Sequence, residues 1–283
     1  MPLLRQPGVS RMVNAGLVET KEKNLQEILV RLESLLIAYS GGVDSSLLSY
    51  YGRLLLGKRA TIVIAISASL AKDELAFARA QSQQFNWELL EIETDEVEKS
   101  EYRRNDRMRC YFCKSTLFEA MHRLAAEKGV KHLAYGANLD DLSDFRPGML
   151  AANQYHVFSP LQDANLSKED IRYLAKRANL PSWDRPAAAC LSSRIPTDIP
   201  ITFARLSQVD RAETFLRNRG FRQVRVRHFD EMASIEVEAS EVHRLKDETL
   251  MAAIAEEFKQ LGYLQIKVDP AGYRQGSLNP VRG

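Results

Sequence analysis

Residues Ser40 to Ser46 read SGGVDSS, between the apolar run Leu35-Leu36-Ile37-Ala38-Tyr39 and the helical-looking stretch Leu47 to Leu56. A strand that turns through two glycines into a helix gathers backbone N–H groups and the positive helix end around an anion. Gly41 and Gly42 permit close backbone approach and dihedrals that other residues avoid. Ser40, Ser45 and Ser46 add hydroxyl donors, and Asp44 stands where it caps the helix or helps hold a metal ion. The Gly-Lys-Ser/Thr ending of a Walker loop is missing, which argues against a kinase-like or GTPase-like phosphate site.

Outward from this loop, strand candidates fall at 35–39, 61–66, 87–92 and 132–135, separated by helical stretches at roughly 45–57, 72–85 and 112–128. Strands alternating with helices predict an α/β, doubly wound parallel sheet. Ligands bind such sheets beyond the carboxyl ends of the strands. The loop at Ser40, Ser67 after the second strand and Gly136 after a later one all fall at that edge. Ahead of the first strand, Leu25, Ile28, Leu29, Leu32 and Leu36 recur at helical spacing. Ser167 caps a helix running to about Asn179. Prolines 181, 186, 196 and 200 punctuate a linker, and the remainder reads helix (203–219), strands (222–228, 232–238), helix (247–261) and strand (263–268). The expected division is an extension over 1–22, a nucleotide domain over 23–186 and a smaller α+β domain over 187–283. Between Glu91 and Arg109 an acidic run gives way to a basic one, most of which reads as a solvated loop.

The 283 residues suit about two domains. A formal charge of +2 gives no bulk case for nucleic acid as a partner. No apolar run reaches the ~18 residues that span a bilayer, and the first residues lack the apolar core of a signal peptide. A cytoplasmic location is expected, where thiols stay reduced. Three cysteines are present, Cys110 and Cys113 in RCYFCK and Cys190 in RPAAACLSSRIP. Three readings stay open: a zinc site completed by His122 or His132, a redox pair with Cys190 apart, or an iron–sulfur cluster on three thiolates with one iron left open.

The loop resembles the PP-loop of ATP pyrophosphatases, which cut ATP between its α and β phosphates and adenylate an acceptor. SGGVDSS, GANLDDLSDFRPGM at 136–149, ACLSSRIP at 189–196, VRVR at 224–227 and GYRQG at 272–276 occur in order. Together they resemble the LarE family of PP-loop sulfur transferases, over roughly Leu25 to Gly276. The Cys-x-Ser-Ser-Arg segment carries the discrimination, because SGGxDS is shared with many PP-loop enzymes. The resemblance implies a protein that activates pyridinium-3,5-biscarboxylic acid mononucleotide with ATP and replaces an oxygen by sulfur, in making the nickel-pincer nucleotide cofactor. One type in the family carries a single cysteine matching Cys190 and sacrifices its sulfur, leaving dehydroalanine. The other has a C-x-x-C as well and is held to bind a 4Fe–4S cluster through three thiolates. With Cys110 and Cys113, this chain resembles the cluster type.

On that resemblance ATP lies over Ser40, Gly41, Gly42, Ser45 and Ser46 with Mg2+ near Asp44, and sulfur is delivered from Cys110, Cys113 and Cys190. Ser193 and Arg194 would hold the anionic acceptor beside the sulfur. Arg225 and Arg227 alternate with Val224 and Val226 and so project from one strand face; the resemblance places this pair near the substrate phosphate. Glu213 and Glu236 align with acidic residues around the family's active or metal-binding region, while a further acidic position appears here as Arg244. Asp141 and Arg146 belong to the matched stretch near the nucleotide. Family members form homo-oligomers, hexamers in particular. The sulfur donor that reloads the protein is not indicated. The rival readings are a tRNA thiolase, which predicts a basic stripe, and an adenine-nucleotide-binding module with no turnover.

Overall fold

The computed structural model describes residues 15–143, 146–186 and 189–274. Four parallel strands, β1 (Leu35–Ala38), β2 (Ala60–Ile66), β3 (Leu89–Glu93) and β4 (His132–Tyr135), lie in the order β3-β2-β1-β4. All four residues of β1 are buried, as an unbroken apolar run in a two-faced sheet requires. Its alternate residues face opposite cores. Leu35 and Ile37 join Leu25, Leu47, Ile171 and Leu174, whereas Leu36 and Ala38 join Phe118, Met121 and Ala151.

The helices over the described residues are α1 (Ala15–Arg31), α2 (Val43–Leu56), α3 (Lys72–Gln84), α4 (Ser100–Arg103), α5 (Arg109–Lys128), α6 (Pro147–Gln154), α7 (Pro160–Asp163), α8 (Lys168–Arg177), α9 (Phe203–Arg217) and α10 (Glu248–Gln260). Helix α1 starts before position 22, where the sequence pattern ends the extension. Val18 supplies the reason: it is 1% exposed and extends the buried stripe of Leu25 and Leu29. The cap at Ser167 is a full capping box, with Ser167 Oγ accepting from the Asp170 N–H and the Asp170 carboxylate accepting from the Ser167 N–H.

The smaller α+β region pairs β5 (Val224–Phe229) antiparallel with β6 (Met232–Val237), and β6 parallel with β7 (Gln265–Val268). Leu216 of α9 and Ile254 and Phe258 of α10 cover this sheet together with Val224, Val226 and Ile235. A separate apolar cluster positions the thiol segment: Leu191, Ile195 and Ile201 pack between Val97 and Tyr102 on one side and Leu206 and Val209 of α9 on the other. Among the described residues no helix is long and apolar enough to cross a membrane.

Candidate nucleotide and thiol site

A cavity of about 230 Å³ opens at the carboxyl ends of β1, β2 and β4. Ser40, Gly42, Asp44 and Ser45 line it from the loop, with Ser67 and Ser69 after β2 and Gly136 after β4. Glu96, Cys113, Lys114 and Cys190 line it as well. The edge anticipated from the strand pattern is therefore the edge where the cavity lies, and two of the three thiols reach it.

The loop holds its shape by internal hydrogen bonds. Ser45 Oγ donates to the Gly42 carbonyl at 3.0 Å and accepts the Ser40 N–H at 3.1 Å. Gly41 adopts φ +76°, and a Cβ there would stand 3.3 Å from Ala78 Cβ, so glycine serves both the backbone and the contact with α3. Ser46 is fully buried; its Oγ donates to the Gly42 carbonyl at 2.9 Å and accepts from Gln81 Nε2 at 2.7 Å. Neither Ser46 nor Gly41 is among the residues that line the cavity. Asp44 does not cap α2, whose N-cap is Gly42 with no side-chain bond. Instead its carboxylate pairs with the Lys168 ammonium and accepts from Asn138 Nδ2 at 3.4 Å. Burial pushes the Asp44 carboxyl up, against the pull of Lys168. Asp141 accepts the Asn138 N–H at 3.1 Å and pairs with Arg146 at 2.7 Å, which braces the β4 loop behind Asp44.

Gly136 brings that loop against the first turn of α2: a Cβ there would meet Ser45 N at 2.7 Å and the Asp44 carbonyl carbon at 3.0 Å. Backbone atoms yield less than side-chain ends, and overpacking costs about 1–3 kcal/mol. Gly136→Ala should therefore lower the melting temperature by a few degrees, which thermal denaturation checks.

Cys110 and Cys113 lie in the first turn of α5, not ahead of it. The helix begins at Arg109 because Asp106 starts the turn, its Oδ1 accepting the Met108 N–H at 2.8 Å and its carbonyl the Arg109 N–H at 3.1 Å. A spacing of three puts the two sulfurs on one helix face at its positive end. All three cysteines are free thiols, Cys110 exposed and the others half-buried. Burial pushes the Cys113 thiol well up, and negative charge at Glu96 and Cys190 adds to the shift. The Cys110 thiol is raised by the protein crowded around it and then by Cys190, while Arg109 and Lys114 pull the other way. The three thiols thus share one electrostatic neighbourhood. Among the described residues no three His, Cys, Asp or Glu side chains are grouped to hold a metal ion. The histidines of the zinc reading are engaged elsewhere, His122 with the Tyr155 carbonyl at 2.8 Å and His132 edge-on to Phe158.

The arginines and acids behind the thiols answer one another. Arg194 is 2% exposed and pairs through Nε and Nη2 with Glu213 at 2.8 and 3.0 Å. Its Nη1 donates to the Cys190 carbonyl at 2.9 Å and to Ser193 Oγ at 3.1 Å. Glu213 also accepts from Arg217 Nη2 at 2.6 Å and from the Val226 N–H at 3.0 Å. Arg227 pairs with Glu236 at 2.7 Å and donates to the Ser193 carbonyl at 3.0 Å. Arg194, Arg227, Glu213 and Glu236 are therefore partners in buried ion pairs. The VRVR pattern does put both arginines on one face, but β5 is buried on both faces. Arg225 is the exception in position. It lines a separate groove of about 580 Å³ with Arg185, Arg217 and Arg222. Burial, and then the charge of Arg194, lowers its pKa to about 10. Gln275 and Gly276 of the GYRQG motif lie outside the described residues; Tyr273 packs its ring 5.3 Å from the Arg225 guanidinium.

Sequence patterning did not single out Glu96, Ser69, Lys114 or Lys168. Lys168 appears there only as a capped helix start, and Glu96 as one charge in an acidic run. The available signal was positional: Ser69 and Glu96 follow β2 and β3 at the ligand-binding edge.

A four-stranded parallel α/β unit with a glycine-and-serine loop after its first strand, joined to a smaller α+β region, is consistent with a PP-loop-type domain. No protein-family model matches the chain. It is 38% identical over 94% of its length to the uncharacterized protein slr1717 of Synechocystis, covering 99% of that protein. With the uncharacterized protein MJ0830 of Methanocaldococcus jannaschii it shares 31% identity over 90% of this chain and 96% of that one. The third similar protein is the pyridinium-3,5-bisthiocarboxylic acid mononucleotide synthase of Lactiplantibacillus plantarum, 29% identical over 92% of this chain and 94% of the synthase. The chain belongs to the family of slr1717 and MJ0830, and the synthase is similar to it.

Proposed function

We propose that this chain is an ATP-dependent sulfurtransferase that adenylates a carboxylate of pyridinium-3,5-biscarboxylic acid mononucleotide and converts it to a thiocarboxylate, in making the nickel-pincer nucleotide cofactor. One observation carries the reading: the SGGVDSS loop and the thiols of Cys113 and Cys190 line the same cavity. The likeness to the Lactiplantibacillus synthase supplies the substrate class.

A carboxylate is a poor electrophile because its leaving group would be oxide. Its attack on the α-phosphate of ATP expels pyrophosphate and leaves an acyl adenylate. The N-terminus of α2 and the N–H groups of the loop favour the departing phosphates, and Lys114 adds a cation at the cavity wall. Asp44 would hold the accompanying magnesium ion in exchange for the Lys168 ammonium, which then becomes available to a phosphate. A sulfur nucleophile next attacks the acyl carbon, and AMP leaves with the carboxylate oxygen. The groove of Arg185, Arg217, Arg222 and Arg225 would take the acceptor's phosphate and second carboxylate only in exchange for acidic partners. Asp73, Glu74, Asp184 and Glu238 line it too, and Arg185 and Arg217 are paired with Glu74 and Asp73. Arg185 and Pro186 line that groove, and Cys190 lines the cavity.

On the resemblance, a 4Fe–4S cluster would be held by Cys110, Cys113 and Cys190; among the described residues these three thiols are not grouped to hold a metal ion. When bound, such a cluster supplies sulfur that is deprotonated at neutral pH, which thiols raised by burial do not offer unaided.

Anaerobic purification followed by iron and sulfide analysis, then reaction with ATP and the biscarboxylate nucleotide, tests the reading. The expected outcome is about four irons per chain, AMP with pyrophosphate, and a thiocarboxylate. Iron-free protein that still makes the thiocarboxylate and loses hydrogen sulfide from Cys190 would reassign the sulfur to that side chain. ADP in place of AMP would contradict the adenylation.

A further inference from the structure

Glu96 belongs to an acidic run that reads as solvated, yet it is 2% exposed and lines the cavity with Cys113 and Cys190. None of the steps above uses it. Its Oε1 accepts a hydrogen bond from Ser69 Oγ at 2.8 Å, and a buried carboxylate is retained only where such a bond offsets its lost hydration. Ser69 is itself buried, with Ser67 Oγ 2.8 Å from its hydroxyl. The Ser69 carbonyl accepts the Leu191 N–H at 2.9 Å. Leu191 directly follows Cys190 and is 1% exposed, packed with Val97, the neighbour of Glu96, and with Tyr102. On its other side Cys190 is anchored through its carbonyl, which accepts from the Ser193 N–H at 3.0 Å and from Arg194 at 2.9 Å.

We propose that Glu96 is a positioning residue for Cys190: its bond to Ser69 fixes the serine whose carbonyl holds Leu191, and so fixes the Cys190 sulfur on the cavity wall that Cys113 shares. The hydroxyl chain from Ser67 through Ser69 to Glu96 spans the loops after β2 and β3, and Leu191 ties the thiol segment to it. A carboxylate suits this place because it accepts without competing for the carbonyl that Leu191 needs. The effect on rate rests on the sulfur-transfer reading above; the effect on geometry stands apart from it.

The test compares Glu96→Ala, Ser69→Ala and Glu96→Gln in the full chain by two readouts. The first is the alkylation rate of Cys190 by iodoacetamide, followed by mass spectrometry. Glu96→Ala and Ser69→Ala should each raise it about tenfold, while Glu96→Gln, whose amide oxygen still accepts from Ser69, stays near the parent rate. The second is turnover: kcat for sulfur transfer should fall about tenfold in the two alanine variants, and Glu96→Gln should restore it. The double alanine variant should be no slower than either single one. Parent-like alkylation in both alanine variants overturns the proposal, and so does Glu96→Gln behaving as Glu96→Ala. If Glu96→Ala fails to fold, Ser69→Ala decides alone. A parent chain without exchange activity would sink the sulfur-transfer reading and leave the alkylation comparison to judge the positioning role.

Discussion

Cys190→Ala should abolish thiocarboxylate formation, by at least ~10³-fold, while ATP–pyrophosphate exchange continues. The separation follows from where the residue lies. Cys190 lines the cavity, and nothing in the loop's own hydrogen bonds depends on it. Those bonds run among Ser40, Gly42, Ser45, Ser46 and Gln81. Cys113→Ala should also lose transfer and keep exchange, since its thiol faces the same cavity. Measuring exchange and thiocarboxylate in one preparation checks both variants. Undiminished transfer by Cys190→Ala would remove that sulfur from the chemistry.

The largest expected loss of stability comes from Arg194→Ala. Arg194 and Glu213 are 2% and 0% exposed along their side chains. Removing one partner of such a pair leaves the other charge buried and uncompensated, at a cost of about 3–5 kcal/mol, or a melting temperature lower by about 10 °C. Replacing both together, with Met for Arg194 and Leu for Glu213, should recover only part of the loss: the desolvation of two charges is then removed, but Arg217 and the Val226 N–H lose the acceptor they share. Burial works against the Glu213 charge, but Arg194, Arg217 and Arg225 outweigh it and hold the carboxyl below its ordinary range. A depressed carboxyl contributes stability that is present above its unfolded pKa and lost as pH falls through the folded one. The parent chain should therefore lose stability on acidification below about pH 4.5, and the doubly replaced chain should lose less. Thermal melts across that window, for the parent and both variants, check the sign.

The parallel sheet was legible because its signals are local. The apolar run at 35–39 and the alternation of strands with amphipathic helices name β1, β2 and β4 to within a residue or two, and the two glycines mark the turn at the sheet edge. The capped start of α8 was legible for the same reason. Long-range pairing was not. Glu213 lies on α9 and Glu236 on β6, and nothing in their neighbours in sequence announces Arg194 or Arg227 as counterions. An alternating VRVR strand reads as half-exposed, but α9 reaches over it and places the Glu213 carboxylate on the Val226 N–H. Glu96 was hidden by its company: flanking charges on both sides mask one carboxylate turned inward beside Ser69. The start of α5 was missed by three residues because its initiating turn depends on Asp106, a short polar side chain inside a basic run.

The central claim is that nucleotide and thiol chemistry meet in one cavity. It is tested most directly by alkylating the full chain with iodoacetamide in the absence and presence of saturating α,β-methylene ATP, which cannot be split at the reacting bond. The account predicts that the bound analogue slows modification of Cys190 and Cys113. Analogue that binds while both cysteines react at their unliganded rates would place the nucleotide and the thiols in separate sites and contradict it.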